Sequence, residues 1–472
     1  MTTTRRDVLR LTGALLAGTA GIGAVAASAG CQFRSGDGDD GDGDRADQEA
    51  TRRKLGAAEA LVVELADGKL AVVDAATGRM LVQPALAVIS GDGRRLVRVE
   101  RPDGGTRLTS HRLPDGAAVS AGTLTGALAV RTTSADGDLV ALADDVGPGH
   151  TPYRPGPRER TTIVVADGAG QRRRLDLPGN LEPEAFDASR TSLFVLDYLP
   201  PTAPDRYRVR VVDLASGQVQ PLLTRVKAVV PAGAEEEMRG EGRQAVYDSR
   251  RSRLFTLYTH QPDHVHTRDR IAAAAAAAGQ DAAGARDDAP HVHAFVHTLD
   301  LTERWAYCVD LPAPFGERPA AGHTIALSPD GGRLYVADTS SGALATIDPE
   351  GLTVLDSVRF DALAGTTGPG DAVPATAAVP ATAAASFDAA GTLLVGAGRE
   401  VAGMAATSGG GTVPRWSTPA EVRGLAGPPD GSRLYVGQPD AVLRVDPGTG
   451  AVRHRIDVPG LVALRHVVAT ES

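Results

Sequence analysis

The sequence predicts an all-β fold made of repeated four-stranded antiparallel sheets, and three observations support this prediction. Short runs of β-forming residues recur along residues 58–472. Asp- and Gly-containing turns separate these runs, and helical composition appears only in an alanine-rich insertion at 260–293. Regularly spaced short strands with such turns are typical of repeated antiparallel sheets. A four-stranded unit cannot bury its faces alone, so we expect the units to pack around an axis as the blades of a propeller.

The repeat unit has the same parts in each copy: a polar turn, a short β-run, a second β-run that ends in Asp, a Gly-containing turn and a third β-run. Its clearest copies start at Ser328 (SPDGGRLYV) and Pro429 (PDGSRLYV). Further copies start at residues 186, 247 and 387, and weaker ones lie near residues 61, 90 and 134. These copies make eight units. The ring must also close, because an open last blade would expose sheet edges.

Two segments, Leu334–Asp338 (LYVAD) and Leu434–Gly437 (LYVG), resemble the YVTN-type β-propeller repeat family, whose four-stranded blades are WD40-like. The resemblance covers most of residues 58–468 and is sharpest in the second half. It implies seven or eight blades, since this type of repeat commonly closes with seven and the sequence contains eight units. The weak N-terminal unit is therefore either a degenerate blade or part of a blade that is completed across the ring closure.

The first 31 residues predict an export signal with a lipid-attachment site. Arg5 and Arg6 precede an apolar run over residues 11–29, which is too short and too rich in Gly and Ala for a membrane span. This segment resembles a twin-arginine (Tat) signal peptide. The lipobox-like Ser28-Ala-Gly-Cys31 implies that Cys31 becomes the lipidated first residue of a protein on the outer face of the cytoplasmic membrane. Ser28 stands where Leu is usual, so ordinary cleavage to a secreted protein stays open.

Residues 32–57 predict a disordered acidic tether that leads to the propeller domain at 58–472. Aspartate and glycine make up almost all of the run from Ser35 to Asp44. Low hydrophobicity and repulsion between carboxylates keep such a segment extended. The run lacks the apolar and Glu positions of a calcium loop, which favours a solvated spacer.

The charge of the chain argues against a nucleic-acid partner. The formal net charge is -9, and removal of residues 1–30, which hold three arginines and one aspartate, leaves -11. Phosphate backbones require clustered Lys and Arg, and stacking on bases requires more than the 4% of aromatic residues found here. The expected partner is an envelope protein, a peptide or a small molecule. We expect a monomer that touches the membrane only through its N-terminal lipid.

Histidines form the one cluster with metal-binding chemistry. Six of the eleven flank the insertion: His260, His264, His266, His291, His293 and His297. If the flanking segments are paired strands, alternation puts His264 with His266, and His291 with His293, in same-face pairs. Such pairs suit zinc or copper, so the sequence predicts a candidate transition-metal site. The alternative is a polar hairpin whose histidines are solvated or bonded to backbone.

Other conspicuous residues have simpler explanations. Cys308 lies in an apolar stretch without a cationic neighbour, which favours a small buried hydrophobe over a reactive thiol. If Cys31 is lipidated, the exported domain has one thiol and no disulfide. Five arginines follow the acidic run at 235–237: Arg239, Arg243, Arg250, Arg251 and Arg253. Local charge pairing explains both groups without a catalytic role.

The aromatic residues predict packing rather than ligand platforms. Tyr335 and Tyr435 occupy equivalent positions of the repeat, which argues for a shared place in the blade. Trp305 and Trp416 are likewise expected to pack within blades.

The sequence contains no linear catalytic motif, and its catalytic residues, if any, are unknown. It has no G-x-S-x-G, H-E-x-x-H, S-x-x-K, P-loop or C-x-x-C-H pattern. Propeller enzymes place scattered residues around the central channel, so this does not exclude catalysis. The leading hypothesis is a non-enzymatic ligand- or protein-binding module of the cell envelope, with no cofactor established. The alternative is a metal-dependent hydrolase or lactonase, or an oxidoreductase, that uses the histidine cluster.

Overall fold

The computed structural model describes residues 59–469 except 66–67, 103, 146–154, 225–234, 236, 239–240, 260–293, 319, 364–382 and 405–413. The predicted signal peptide and tether lie outside the described residues. The export residues Arg5 and Arg6 and the lipid-attachment residue Cys31 lie there as well, so these predictions stay untested.

The first half of the described chain forms sixteen strands. In chain order they are β1 (Glu59–Leu65), β2 (Leu70–Asp74), β3 (Met80–Ile89), β4 (Arg95–Glu100), β5 (Thr106–Arg112), β6 (Ala118–Leu124), β7 (Leu128–Thr133), β8 (Val140–Asp144), β9 (Arg160–Asp167), β10 (Gly170–Pro178), β11 (Asn180–Phe186), β12 (Ser192–Leu199), β13 (Arg206–Asp213), β14 (Val219–Pro221), β15 (Leu223–Thr224) and β16 (Glu241–Asp248).

The second half adds sixteen more strands and one short 3-10 turn at Ala320–Gly322. The strands are β17 (Arg253–Thr259), β18 (Ala294–Asp300), β19 (Trp305–Asp310), β20 (His323–Leu327), β21 (Leu334–Asp338), β22 (Ala343–Asp348), β23 (Thr353–Arg359), β24 (Ala384–Phe387), β25 (Leu393–Ala397), β26 (Glu400–Met404), β27 (Arg415–Ser417), β28 (Leu425–Ala426), β29 (Leu434–Gln438), β30 (Ala441–Val445), β31 (Val452–Asp457) and β32 (Leu461–Ala469).

Antiparallel pairing groups these strands into eight four-stranded blades, which confirms the predicted propeller class. Six blades are continuous in sequence: β7–β10, β11–β14, β16–β19, β20–β23, β24–β27 and β28–β31, which are blades 3 to 8. The short β15 adds a parallel fifth strand to the outer edge of blade 5. The remaining strands form one seven-stranded sheet that serves two blades.

The long strand β3 divides that sheet into blades 1 and 2. Its first half pairs with β2, through Met80, Val82 and Ala85, and its second half, Leu86–Ile89, pairs with β4. Blade 1 is completed by the last strand, because β32 pairs along the whole of β1. Of the two sequence interpretations of the N-terminal unit, completion across the ring closure is therefore the one observed. The C-terminal strand is the innermost strand of that blade.

Burial follows the position of a strand within its blade. The middle strands β21 (LYVAD) and β22 (ALATID) are buried almost throughout, because both of their faces meet a neighbouring blade. The outer strand β23 (TVLDSVR) is mostly exposed. The apolar core accordingly divides into clusters that each join successive blades, such as Ile163 with Leu193 between blades 3 and 4. Stability is thus shared among blade interfaces.

The same pattern of hydrogen bonds recurs in the turn between the first two strands of several blades. In blade 6, the Ser328 hydroxyl bonds to Asp330 Oδ1 at 2.5 Å and accepts the Arg333 N–H at 2.9 Å. In blade 3, Ser134 bonds in the same way to Asp136 and Leu139. Side chains of this type compete well for backbone groups in turns. The S-x-D-G pattern in the sequence is therefore a turn signal.

These turns lie together on one face of the propeller, which we call the turn face. Its turns are 90–94, 134–139, 187–191, 248–252, 328–333, 388–392 and 428–433. Neighbouring turns touch: the Asp92 N–H donates to Ala135 O at 2.8 Å, and Arg190 bonds to Asp136 at 2.8 Å. In blade 1 the start of β1 and the end of β32 lie in this place, since Glu59 pairs with Ala469.

The opposite face, which we call the loop face, holds the described strand ends that the longest connections join. These connections run between β8 and β9, β14 and β16, β17 and β18, and β23 and β24. The insertion 260–293 is one of them, because it joins Thr259 to Ala294 at the edge where β16 begins. Met404, where β26 ends, lies at the turn face opposite Leu393. No helix in the described residues has the length and apolarity that a membrane crossing requires.

Candidate functional site: the central channel and the loop face

Eight inner strands, one from each blade, surround the axis of the propeller. They are the second half of β3, β7, β11, β16, β20, β24, β28 and β32. Each inner strand runs from the loop face to the turn face. Residues on these strands are therefore the described residues best placed to meet a ligand in the channel.

A cavity of about 140 Å³ lies among the inner strands of blades 5, 6, 7, 8 and 1. It exists because two of these strands carry small side chains, with Ala384–Ser386 on β24 and Ala426 and Gly427 at β28. A single water needs roughly 10–15 Å³ in such a cavity, so there is room for on the order of ten waters. The cavity suits water or a compact polar ligand.

Gln244 builds one wall of the cavity by joining three blades. Its amide group donates to Ala383 O at 3.0 Å, and its amide oxygen accepts from the Thr324 hydroxyl at 2.8 Å and the Ile325 N–H at 3.1 Å. The side chain is buried. A buried amide with these partners is fixed in position, so Gln244 is a rigid part of the wall.

Arg465 brings a charge to the opposite wall. The register of β32 against β1 skips Arg465, since Val62 faces His466 and Val63 faces Leu464. A β-bulge of this kind re-aims a side chain. Arg465 Nε donates to Glu64 Oε2 at 2.6 Å, and its Nη2 contacts the same oxygen. The Glu64 side chain is fully buried, so the cavity wall contains a neutralised ion pair.

His466 contributes packing and no proton chemistry near neutral pH. The ring lies against Gly93 in the turn after β3, where a Cβ would overlap Nε2. Burial lowers the pKa of His466 to about 4. The imidazole is therefore neutral near pH 7, and its basicity is far below that of an efficient general base there.

The channel side formed by blades 3 and 4 is filled by a buried ionic cluster. Arg131 on β7 donates from Nε to Glu182 Oε2 on β11 at 2.6 Å. Arg158, from the connection before β9, contacts the other carboxylate oxygen of Glu182. Arg158 also donates to Asn180 Oδ1 at 2.9 Å and Leu181 O at 2.7 Å. The cluster ties a loop-face connection to two inner strands.

Sequence reasoning missed these channel residues, although the bulges give a common structural reason for them. The register skips Arg131 on β7, Glu184 on β11 and Arg465 on β32, and each of the three is a charged residue on an inner strand. A charge inside a short apolar run was the available signal. This sequence signal did not reveal the bulge, because the pairing register of a strand depends also on the strand beside it.

The structure describes one of the six clustered histidines. His297 lies in β18, between Thr256 of β17 and Cys308 of β19, and it is 1% exposed. Its ring meets Tyr258 edge-on, with centroids 6.1 Å apart. It therefore sits inside blade 5, three residues from the point where the insertion returns at Ala294.

The other five histidines lie outside the described residues: His260, His264, His266, His291 and His293. Within the described ranges, no group of three or more His, Cys, Asp or Glu side chains is arranged to hold a metal. The zinc or copper site stays a prediction. Thr259 and Ala294, the described residues on either side of the insertion, lie at the loop face.

The described acids of the run, Glu235 and Glu237, pair with arginines of β13. Glu235 accepts from Arg208 at 2.8 Å and from Arg210 at 2.7 Å, and Glu237 accepts from Arg206 at 2.8 Å. These arginines lie on β13 of the preceding blade, which the segment crosses. Arg251 and Arg253 pair instead with acids of blades 5 and 6: Asp248, Asp300 and Glu350. Arg239 and the side chain of Arg243 lie outside the described residues, so pairing of the acidic run with them stays a prediction.

The predicted packing residues are in the blades. Cys308 is 1% exposed and its thiol lies 3.7 Å from the Met238 sulfur. Tyr335 and Tyr435 are buried at equivalent places on β21 and β29. Trp416 is partly buried, donates to Pro447 O at 3.1 Å and packs against Gly450. Trp305 bonds to Glu303 at 3.0 Å.

Comparisons with known proteins found no matching family model and no matching curated protein. Several solved structures are similar at low identity. Apo AztD from Citrobacter koseri is 13% identical over 88% of this chain and 100% of its own, with a TM-score of 0.40.

Two further structures are similar to the same degree. The Pseudomonas aeruginosa periplasmic gluconolactonase PpgL is 17% identical over 88% of this chain and 100% of its own, with a TM-score of 0.38. The Myceliophteria thermophila Cps50 (Swd1) beta-propeller domain is 14% identical over 70% and 85%, with a TM-score of 0.32. Likenesses this distant assign neither a ligand nor an activity to the chain.

Proposed function

We propose that this chain is an exported, YVTN-type propeller that is anchored through Cys31 to the outer face of the cytoplasmic membrane. Its loop face binds an envelope protein, a peptide or a small molecule. The proposal combines the Tat-like and lipobox-like N-terminus with the architecture of the described residues. The protein acts as a monomeric binding module in this proposal.

The observation that carries the proposal is the orientation of the two propeller faces relative to the end of the tether. The first described residue, Glu59, lies on the turn face beside Ala469. A tether that ends at residue 57 therefore joins the propeller on the turn face, and the loop face points away from the attachment point. Long connections held on a rigid scaffold are the usual carriers of binding function.

The channel supports binding more than chemistry. Two pairs of its buried polar groups bond to each other: Gln244 with Thr324, and Arg465 with Glu64. A catalytic acid or base needs a pKa close to the working pH, whereas His466 is held near 4. The small cavity offers a place for a compact group of a ligand that covers the loop face.

Site-specific photo-cross-linking tests the proposal. One cross-linking residue replaces Asp361 on the loop face, whose side chain is 96% exposed, and another replaces the exposed Ala389 on the turn face. Both positions belong to neighbouring blades and neither anchors a buried network. We expect a specific cross-linked partner, or a loss of cross-linking on ligand addition, at position 361 only. Specific products at 389 alone, or at neither position, would contradict the proposal.

A further inference from the structure

A cluster of three arginines occupies a pocket on the turn face of blade 8. The pocket is lined by Arg433, Arg444 and Arg453, together with Ser432 and Asp446, and its volume is about 270 Å³. The three guanidinium groups come from three different segments. Arg433 precedes β29, Arg444 lies on β30 and Arg453 on β31.

Sheet register explains how these side chains converge. Arg444 faces Tyr435 on one side and His454 on the other. Arg433 lies directly before β29, and its side chain lines the same pocket. The register between β30 and β31 skips Arg453, which marks a bulge beside the pocket. A bulge at this point re-aims the Arg453 side chain.

Carboxylates lie close to two of the three arginines of the pocket. Arg433 lies 3.2 Å from Glu59, and Arg453 lies 3.1 Å from Asp446. Among the described residues Arg444 forms neither an ion pair nor a side-chain hydrogen bond. Tyr435 does not add a negative charge, because burial and the Glu59 carboxylate raise the pKa of its phenol. The Asp430 carboxylate also interacts electrostatically with Arg433. Arg444 is therefore the guanidinium group of the pocket that no described carboxylate pairs with.

We propose that Arg433, Arg444 and Arg453 bind the phosphate of an anionic phospholipid headgroup. Guanidinium groups match phosphate oxygens in geometry and remain charged at every physiological pH. The position of the pocket favours a phospholipid as the source of the phosphate, because the pocket adjoins Glu59, where the tether meets the fold. This inference rests on the proposed anchoring, which brings the turn face to the membrane. The sequence also holds Arg52, Arg53 and Lys54 shortly before Glu59.

The test is co-sedimentation of the full chain with vesicles at 150 mM NaCl. Vesicles of phosphatidylcholine alone are compared with vesicles that contain about one third phosphatidylglycerol. The measured quantity is the ratio of the two partition coefficients, so any contribution of the N-terminus that is independent of headgroup charge cancels. Failure of lipid attachment at Cys31 would lower binding to both vesicles and leave the ratio intact, which separates the two proposals.

We expect Arg444→Gln and Arg453→Gln each to lower the ratio about fivefold, the effect of one cation near an anionic surface. The matched control is Arg107→Gln, an exposed arginine at the loop-face end of β5, which should leave the ratio within twofold. Equal ratios in the wild type and both pocket variants would overturn the proposal.

Two further outcomes identify other occupants, and either would also overturn the lipid assignment. One is tight binding of inorganic phosphate to the wild-type chain, lost in Arg444→Gln, without any preference for phosphatidylglycerol. The other is a preference that appears only after Asp37, Asp39, Asp40, Asp42 and Asp44 are replaced by Asn. That result would mean that the acidic tether fills the pocket.

Discussion

Glu182 is the buried carboxylate that pairs with two buried arginines. Its side chain is fully buried, and it accepts from Arg131 and Arg158, whose side chains are 2% and 6% exposed. Removal of one partner of a buried ion pair leaves an uncompensated charge and typically costs about 3–5 kcal/mol. The loss is expected to be large here because two arginines share one carboxylate.

We therefore expect Glu182→Gln to lower the free energy of unfolding by about 3–5 kcal/mol in denaturant titrations. The control is Glu421→Gln, since Glu421 is 55% exposed and 3.9 Å from Arg423. An exposed change of this kind usually stays within about 0.5 kcal/mol. Equal effects of the two substitutions would show that the buried cluster is not a stabilising unit.

His466 predicts a specific pH dependence of stability. Its pKa is about 4 in the folded protein, against an ordinary value of 6.5. The folded state therefore resists protonation that the unfolded state accepts. Stability from this site is complete above pH 6.5 and is lost as the pH falls from 6.5 to 4, by about 3 kcal/mol in total.

The measurement compares the free energy of unfolding of the wild type and His466→Gln at several pH values from 7.5 to 4. We expect the advantage of the wild type to shrink by about 3 kcal/mol over this range, because glutamine does not titrate. A difference between the two proteins that stays constant with pH would disprove a depressed pKa at His466.

At the scale of elements, contacts between neighbouring turns hold the turn face together. Gly431 of blade 8 has φ of 63°, and a Cβ there would overlap the backbone of Asp388 in blade 7. Gly391 occupies the equivalent turn position in blade 7, with φ of 79°, and its Cβ would meet nothing within 4 Å. An alanine at either position would adopt the unfavourable left-handed backbone conformation. Only the alanine at position 431 would also clash with the neighbouring blade.

We expect Gly391→Ala to cost about 1–2 kcal/mol from the left-handed backbone alone. Gly431→Ala should cost about 1–3 kcal/mol more, the usual effect of overpacking. Thermal unfolding of both variants measures this difference. If the two alanine variants unfold alike, the turns of blades 7 and 8 are not in the close contact described.

The elements differ in how far sequence predicted them. The turn, the two following strands and the Gly-containing turn were predictable, because S-x-D-G chemistry and β-branched runs are local signals, as at Ser328 and Leu334–Asp338. Inner strands were harder. β28 consists of Leu425–Ala426 only, and the charges at Arg131 and Arg465 sit on bulges that the neighbouring strand creates.

At the scale of the whole molecule, the number of repeats was predictable and the site was not. Eight units in sequence correspond to eight blades, and closure uses the N-terminal unit together with β32. The channel wall could not be predicted, because Gln244, Thr324 and Ala383 come from three blades that only tertiary structure brings together. The arginine pocket on blade 8 was not predicted either, because the register of β29, β30 and β31 and the bulge at Arg453 bring its side chains together.

Closure itself has a testable consequence. Deletion of residues 461–472 removes the inner strand of blade 1 and leaves an exposed edge on β1. We expect the truncated chain to lose a single cooperative unfolding transition and to aggregate, as followed by calorimetry and light scattering. A truncated chain that unfolds cooperatively as a monomer would mean that β32 is dispensable for the ring.

The central claim is that the turn face lies towards the membrane and the loop face away from it. Single cysteines at Asp361 and Ala389 measure this directly, because the native Cys308 is buried. The measurement is the rate of labelling by a membrane-impermeant maleimide on spheroplasts, before and after detergent release. On spheroplasts we expect the cysteine of Asp361→Cys to be labelled faster than the cysteine of Ala389→Cys. Once the protein is released, we expect the two rates to be similar. Equal rates on spheroplasts, or no labelling until the cells are lysed, would contradict the central claim.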